Sequence, residues 1–310
     1  MDSFAFNLNN CAWQRCDALE RQAERLGIAV SRTSSGTRIF ACDLPAAEGI
    51  EVGRNLAEIC LADLARVAVA ELVTIETDQP VVACMGSQYA GWQVTGEKYF
   101  AMGSGPMRVA GSREPILDEL QLRERPERVV GILETRKLPP DDVCRKLAEQ
   151  CGVTPENLTL LVARTASLAG TIQVVARSVE TALHKLHALG FDLWRVASAS
   201  GRAPLPPIPT DDAVAIGRTN DAILYGGEVT LTVRGDDASL AAIGPQIPSS
   251  ASRDFGEPFA AIFSRYNRDF YKIDPLLFSP AVITLVNADT GRSHRFGELR
   301  PDVLACSFAD

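Results

Sequence analysis

The sequence predicts an α/β protein built of two sheets with packed helices, and three observations carry that prediction. Apolar runs of strand length, at residues 129–134 and 158–163, alternate with stretches whose apolar residues recur at three- and four-residue steps. Two hairpin signals, Ser34-Ser35-Gly36 and Asp289-Thr290-Gly291, stand towards opposite ends of the chain with strand-like residues on either side. Finally, 310 residues with 46% hydrophobic and 23% charged content suffice for two domains, each with its own core. The proline-rich run 201–209, GRAPLPPIP, reads as a linker or extended crossing. It sets the expected division: residues 1–200 mainly an N-terminal α/β domain and 201–310 mainly a C-terminal one, with interleaving left open.

Each element has its own reason. Residues 7–26 read as an amphipathic helix, and the opening twenty residues lack the basic region and apolar core of a signal peptide. Residues 28–44 alternate about the Ser34-Ser35-Gly36 turn. Residues 53–69 predict a helix with Leu56, Ile59, Cys60, Leu64 and Val67 on one side. Strands are expected at 72–76 and 81–85, the second a nearly continuous apolar run suited to a covered strand. The charged stretch 112–127 is a helix plus loop, and 129–134 a strand. Pro140 opens a helix to 150 with acidic residues in its first turn. The strand 158–163 then delivers the chain to 165–190, a glycine-punctuated loop feeding one long helix that Gly190 closes. Beyond it come a strand at 193–197, the proline-rich run, and a short helix over 210–221 capped by Thr210 and Asp211. A hairpin over 223–233 about Gly226-Gly227 and a last hairpin of strands 282–287 and 294–299 complete the chain.

Composition excludes several function classes. A net charge of −8 without a basic patch disfavours nucleic-acid partners, which need clustered Lys and Arg. No segment approaches the roughly 18 consecutive apolar residues of a membrane span, and a cytoplasmic protein is expected. None of the eight cysteines has the two-residue spacing of a zinc knuckle or redox dithiol. They read as buried small hydrophobes; Cys84 alone stands near expected chemistry, without evident partners for a thiolate. His184 and His187 lack a third ligand, so no metal is expected.

Chemistry concentrates on the long helix. Ile172, Val175, Ala176, Val179, Ala182, Leu183 and Leu186 form its apolar stripe, while Gln173, Arg177, Glu180 and His184 follow one another at steps of four, three and four. An acid three residues after an arginine lies about 5–6 Å away between Cβ atoms and can pair with it, and a solvated face with a surface ion pair explains such spacing by itself. The strand-loop-helix layout puts Thr165, Ser167 and Gly170 at a C-terminal strand edge, where open α/β sheets hold ligands. The turn Gly103-Ser104-Gly105-Pro106 can present backbone N–H groups to an anion. A plain tight turn is the simpler explanation, and the lysine-threonine ending of a P-loop is absent.

Five strings bear a family likeness: TDQPVVACMGSQYAGW at 77–92, KYFAMGSGPMR at 98–108, ARTASLAGTIQVVARSVETALHKL at 163–186, GRTNDAILYGG at 217–227 and DFYKIDPLLFSPA at 269–281. With compatible lengths between them, from about residue 53 to 281, they resemble the methenyltetrahydromethanopterin cyclohydrolase family. The resemblance implies two side-by-side α/β domains with a ligand groove between them, and a homotrimer. It implies reversible hydrolysis of the methenyl-tetrahydromethanopterin cation to the formyl compound, within methanogenesis or methylotrophic formaldehyde oxidation. No tightly bound cofactor is implied; tetrahydromethanopterin, or its dephospho form, is the one-carbon carrier and substrate. Arg177 and Glu180 fall on the family's catalytic pair. The bridging carbon is already electrophilic, so the enzyme supplies a positioned water, a carboxylate to take its proton, and a proton for the departing nitrogen.

Glu180 is the expected acid–base group and Arg177 its orienting partner. Candidate substrate-binding residues are Gln88, Tyr89 and Trp92, whose indole offers a stacking face, with Ser104, Gly105, Thr165, Ser167, Gln173, Arg218, Asn220 and Asp221. A core tryptophan and a polar helix end are the structural alternatives at Trp92 and at 218–221. Tyr89 departs from the lysine common at this place in relatives, which leaves a charge role there open. Asp274 before Pro275 is explained by turn initiation. Two other functions stay open: a non-catalytic pterin-binding relative, and a cyclohydrolase acting on a folate carrier.

Overall fold

The computed structural model describes residues 7–43, 46–267, 269 and 272–309. Leu44, at the end of the first predicted hairpin, Phe270 and Tyr271 in the last motif, and residues 1–6 of the segment weighed as a leader lie outside the described residues.

The chain opens with helices α1 (Leu8–Glu20) and α2 (Ala23–Leu26), strands β1 (Ala29–Arg32) and β2 (Arg38–Ala41), and helix α3 (Ala46–Cys60). Strands β3 (Arg66–Val69) and β4 (Leu72–Thr77) lead to a π-helix over Val81–Gln88, followed by β5 (Trp92–Gly96) and β6 (Tyr99–Ser104). Next come α4 (Met107–Gly111), α5 (Pro115–Glu119), β7 (Val129–Glu134), α6 (Asp141–Cys151) and β8 (Leu158–Ala163). Helices α7 (Leu168–Val175) and α8 (Ser178–Ala188) precede β9 (Val196–Pro204), α9 (Asp212–Gly226) and β10 (Glu228–Val233). The chain then forms α10 (Asp237–Ile243), α11 (Phe259–Arg265), β11 (Val282–Asn287), β12 (Ser293–Gly297) and α12 (Pro301–Phe308).

These elements form two compact units. One holds the chain up to Ala65 and Val82–Gln173; the other holds Arg66–Val81 and the chain from Val174 onward. Among the described residues each has a six-stranded mixed sheet, so the expected α/β class with two sheets is what the chain adopts. Residue 200, taken above as the end of the first domain, stands inside β9.

The first unit's sheet runs β1-β2-β8-β7-β6-β5, with β2, β8 and β7 parallel and the flanking pairs antiparallel. Its central strands are covered on both faces, which is why they read as continuous apolar runs. The two-residue alternation of strand side chains sorts them: Leu158, Leu160 and Val162 join Val143 and Leu147 of α6, while Leu161 and Ala163 join Trp13 and Cys16 of α1 and Leu56 and Ile59 of α3. Burying each such leucine stabilises the fold by about 1.5–3 kcal/mol.

The second unit's sheet runs β12-β11-β10-β9-β4-β3, parallel only between β10 and β11. Val229, Leu231 and Val233 alternate into its core from β10, and α8 packs across β9 and β10. Leu224 and Tyr225 of α9 gather a separate cluster with Phe259 and Ile262 of α11 and Val303 of α12.

Several expected elements differ. Residues 81–85 are not a strand: Tyr89 N–H donates to the Cys84 carbonyl five residues back at 2.8 Å, in a π-helical turn. A short apolar run lacks the period that separates a buried strand from a buried helix. The helix expected at 53–69 ends at Cys60, where Ala62 and Asp63 take φ of 55° and 59° and redirect the chain into β3. The single helix expected up to Gly190 is two, α7 and α8, broken at Ala176 and Arg177. The proline-rich run does not interrupt the chain at 201, since β9 continues to Pro204; of the strand predicted over 193–197 only Val196 and Ala197 belong to it, and Leu193–Arg195 form a 3-10 turn. The hairpin over 223–233 is absent, because Gly226 ends α9 and Gly227 N–H closes back on the Ile223 carbonyl. A glycine pair marks a helix end as readily as a hairpin turn. The two remaining hairpins form as expected, with Gly36 at φ +97° and Gly291 at φ +72° supplying left-handed turn positions.

Candidate active site

Arg177 is the N-cap residue of α8 and Glu180 stands in that helix's first turn. The free N–H groups of a helix start favour an acid there. Both are buried, at 6% and 5% exposure, so the surface ion-pair explanation does not hold. Burying a guanidinium and a carboxylate is costly and seldom retained for stability alone. The first turn lies close on β9, where a Cβ at Gly201 would stand 2.5 Å from Ser178 Oγ. His184 follows one turn later, half-buried, its pKa drawn below the ordinary value by burial and by the neighbouring His187. Lys185 is buried too; its ammonium donates to the Leu276 carbonyl, and burial lowers its pKa to about 8. Among the described residues no group of three or more His, Cys, Asp or Glu is arranged to hold a metal, and no helix is long and apolar enough to cross a membrane.

The first unit carries another set. Gln88 ends the π-helix and is fully buried. Tyr89 and Trp92 are half-buried, and Trp92 shares a cavity of about 470 Å³ with Gly91, Ser112, Arg113, Glu114 and Gln150. Cys84 is buried in the π-helix, and Ser104 Oγ lies 3.5 Å from Cys60 Sγ. Gly105 takes φ +87° and its N–H donates to the Ser87 carbonyl at 2.8 Å, the geometry of a structural tight turn. Thr165 donates its hydroxyl to the Glu134 carboxylate. Ser167 caps α7: its Oγ accepts from Gly170 N–H at 3.0 Å and donates to the Arg164 carbonyl at 2.8 Å. Gln173 is buried on the same helix.

Glu134, which accepts from the candidate Thr165, is not among the expected site residues because it reads as the last position of a strand. It pairs in register with Ala163 at the C-terminal edge of the parallel strands β7 and β8, and that edge was the available signal.

On α9 the predicted residues hold the second unit together. Arg218 donates to the carbonyls of Pro207, Ser307 and Ala309. Asn220 Nδ2 donates to the Ile216 carbonyl at 2.8 Å. Asp221 accepts from Phe259 N–H at 2.8 Å and from the Ser307 hydroxyl at 2.6 Å, and burial pushes its pKa up to about 7. Asp274 caps its own turn by accepting from Leu276 N–H at 3.1 Å, as an Asp-Pro turn does. Within this unit, then, Arg177 and Glu180 share the start of α8, whereas Arg218 and Asp221 serve α12 and the N-terminus of α11.

The family model described as Cyclohydrolase (MCH) matches residues 7–308. The chain belongs to the cyclohydrolase (MCH) family. This cyclohydrolase-family chain is 45% identical over 311 residues to the methenyltetrahydromethanopterin cyclohydrolase of Xanthobacter autotrophicus, covering 97% of this chain and 92% of that protein. It is 47% identical to the protein of that name from Rhodopirellula baltica, covering 89% and 87% of the two chains. The corresponding protein of Methanospirillum hungatei is 38% identical, with 97% and 98% covered. The resemblance carried by the five motifs therefore holds, and it extends beyond residues 53–281 at both sides.

Chemically, the start of α8 offers this cyclohydrolase-family chain a carboxylate and a guanidinium shielded from bulk water. A fixed negative charge in such a place stabilises a cation and takes a proton from water held beside it.

Proposed function

We propose that this chain hydrolyses the methenyl-tetrahydromethanopterin cation reversibly, yielding formyl-tetrahydromethanopterin with the formyl group on the pterin-ring nitrogen. The observation that carries the proposal is the family match over residues 7–308, together with the buried Arg177 and Glu180 at the start of α8. A water oxygen bonds to the bridging carbon as Glu180 takes one of its protons, leaving a neutral carbinol. Glu180 then returns that proton to the arylamine nitrogen, the carbon–nitrogen bond breaks, and the carbinol hydroxyl releases its proton as the formyl C=O forms. One water is consumed and one proton released. Arg177 orients the carboxylate, and the anionic charge of Glu180 stabilises the cationic substrate.

Gln88, Tyr89, Trp92, Thr165, Ser167 and Gln173 are proposed substrate contacts, with Ser104 and Gly105 shaping the turn beside them, and Glu134 joins this set through Thr165. Arg218, Asn220 and Asp221 are weaker candidates, since their polar atoms bond within the chain. The family resemblance also supports a cytoplasmic homotrimer with no tightly bound cofactor, the pterin carrier entering as substrate in its phosphorylated or dephospho form.

The test follows the cation's ultraviolet absorbance with wild type and Glu180→Gln in parallel. Wild type should bleach it, while the variant, folded by circular dichroism, should be slower by about 10²–10⁴-fold, the usual worth of a positioned general base. A fully active variant removes Glu180 from the mechanism, and an inactive wild type removes the reaction.

A further inference from the structure

We infer that Arg108 is a positioning residue for substrate binding, its buried guanidinium fixing the end of the π-helix and the segment 88–92 that follows. The inference rests on the reading that Gln88, Tyr89 and Trp92 line the substrate site.

A helix end leaves its last carbonyls without partners inside the helix. Here the carbonyls of Met85 and Gly86 accept from Arg108 Nη1 at 2.6 and 3.2 Å, and that of Ser87 accepts from Gly105 N–H. The opposite edge of the guanidinium makes a two-pronged pair with Glu114, Nε and Nη2 reaching its two oxygens at 2.8 and 2.9 Å. Its face lies over the Tyr89 ring, with the central carbon 4.9 Å from the ring centroid. Arg108 is fully buried by these contacts, so it acts through them and not on the reacting atoms.

The segment beyond Tyr89 is held by the same ion pair. A Cβ at Gly91 would stand 2.1 Å from Glu114 Oε1 and 2.7 Å from Tyr89 Cε1, so the backbone passes directly against both. Trp92, the next residue, shares the wall of the 470 Å³ cavity with Glu114. One cation thus grips the chain before, at and after Tyr89. Lysine cannot substitute, because a single ammonium lacks the planar fork that reaches a carboxylate and two carbonyls at once.

The test uses Arg108→Lys in a Trp13→Phe, Trp194→Phe background, which leaves Trp92 as the sole reporter of the chain's three tryptophans. Relative to the same background carrying Arg108, KM for the methenyl cation should rise about tenfold with kcat within about threefold, the pattern of lost uniform binding. Acrylamide should quench Trp92 more strongly in the lysine variant. Unchanged KM and quenching overturn the inference, as does a fall in kcat alone, or a melting temperature that drops while the folded protein keeps its KM. If Arg108→Lys does not fold, Glu114→Gln replaces it, keeping the hydrogen-bonding shape without the charge; it should move KM and quenching the same way, less far. An Arg108 background that binds but does not hydrolyse the cation sinks the functional reading alone, and titrating Trp92 fluorescence with the carrier then gives Kd in place of KM.

Discussion

Asp221 is a buried carboxylate whose protonation bears on stability. Burial raises its pKa from 3.8 to about 7, against the opposing hydrogen bonds from Ser307 and Phe259 N–H. Between those values the folded chain keeps a proton that the unfolded chain has released. The stability this contributes is therefore complete below the unfolded pKa and is lost as pH rises through about 7. Asp221→Asn keeps an acceptor for Phe259 N–H and cannot ionise. Thermal melts from pH 5 to pH 8 should show wild type losing stability relative to the variant, by on the order of a few kcal/mol. A constant difference across that range contradicts a proton held by Asp221. Glu180, another buried acid of this unit, stands in the first turn of α8. Spacing and family resemblance singled out Arg177 and Glu180 together, and the structure buries both at the start of α8. Glu134 and Arg108 were not legible in the sequence, since Thr165 is 31 residues from Glu134, and Arg108 meets carbonyls 22 and 23 residues upstream.

At the scale of elements, legibility followed how much each stretch depends on its surroundings. The strands at 129–134 and 158–163 were read to the residue, because each is an apolar run bounded by turn formers and long enough for one covered strand. The π-helix was misread because the same kind of run fits either state until its neighbours are known. The break between α7 and α8 had no local mark either: Val175, Ala176 and Val179 continue the apolar stripe across it, all fully buried, with neither glycine nor proline at the junction. That break makes the capping of each helix matter. Ser167→Ala, which removes the acceptor for Gly170 N–H at the start of α7, should cost about 1 kcal/mol in urea unfolding. An unchanged midpoint and slope would mean that the cap adds nothing to the helix.

For the whole molecule, the chain passes between its two units at Ala65–Arg66, at Val81–Val82 and at Gln173–Val174, so neither unit is one continuous stretch. Cutting at residue 200 splits β9 and separates β4 from part of its pairing partner, since Leu72–Thr77 lies against 199–204. Neither 1–200 nor 201–310 should give the far-ultraviolet dichroism and protease resistance of the intact chain when expressed alone; a folded fragment 201–310 would contradict the dependence of that sheet on β4. The same arrangement sets a problem of timing on the ribosome. β4 is made early and its partner β9 begins only at Val196, so at about 5–20 residues per second the nascent hairpin of β3 and β4 waits roughly 6–24 s with its Leu72–Thr77 edge unpaired. An open strand edge invites pairing with neighbouring chains, so the yield of this protein in a cell should respond to translation speed and to chaperones that shield nascent chains.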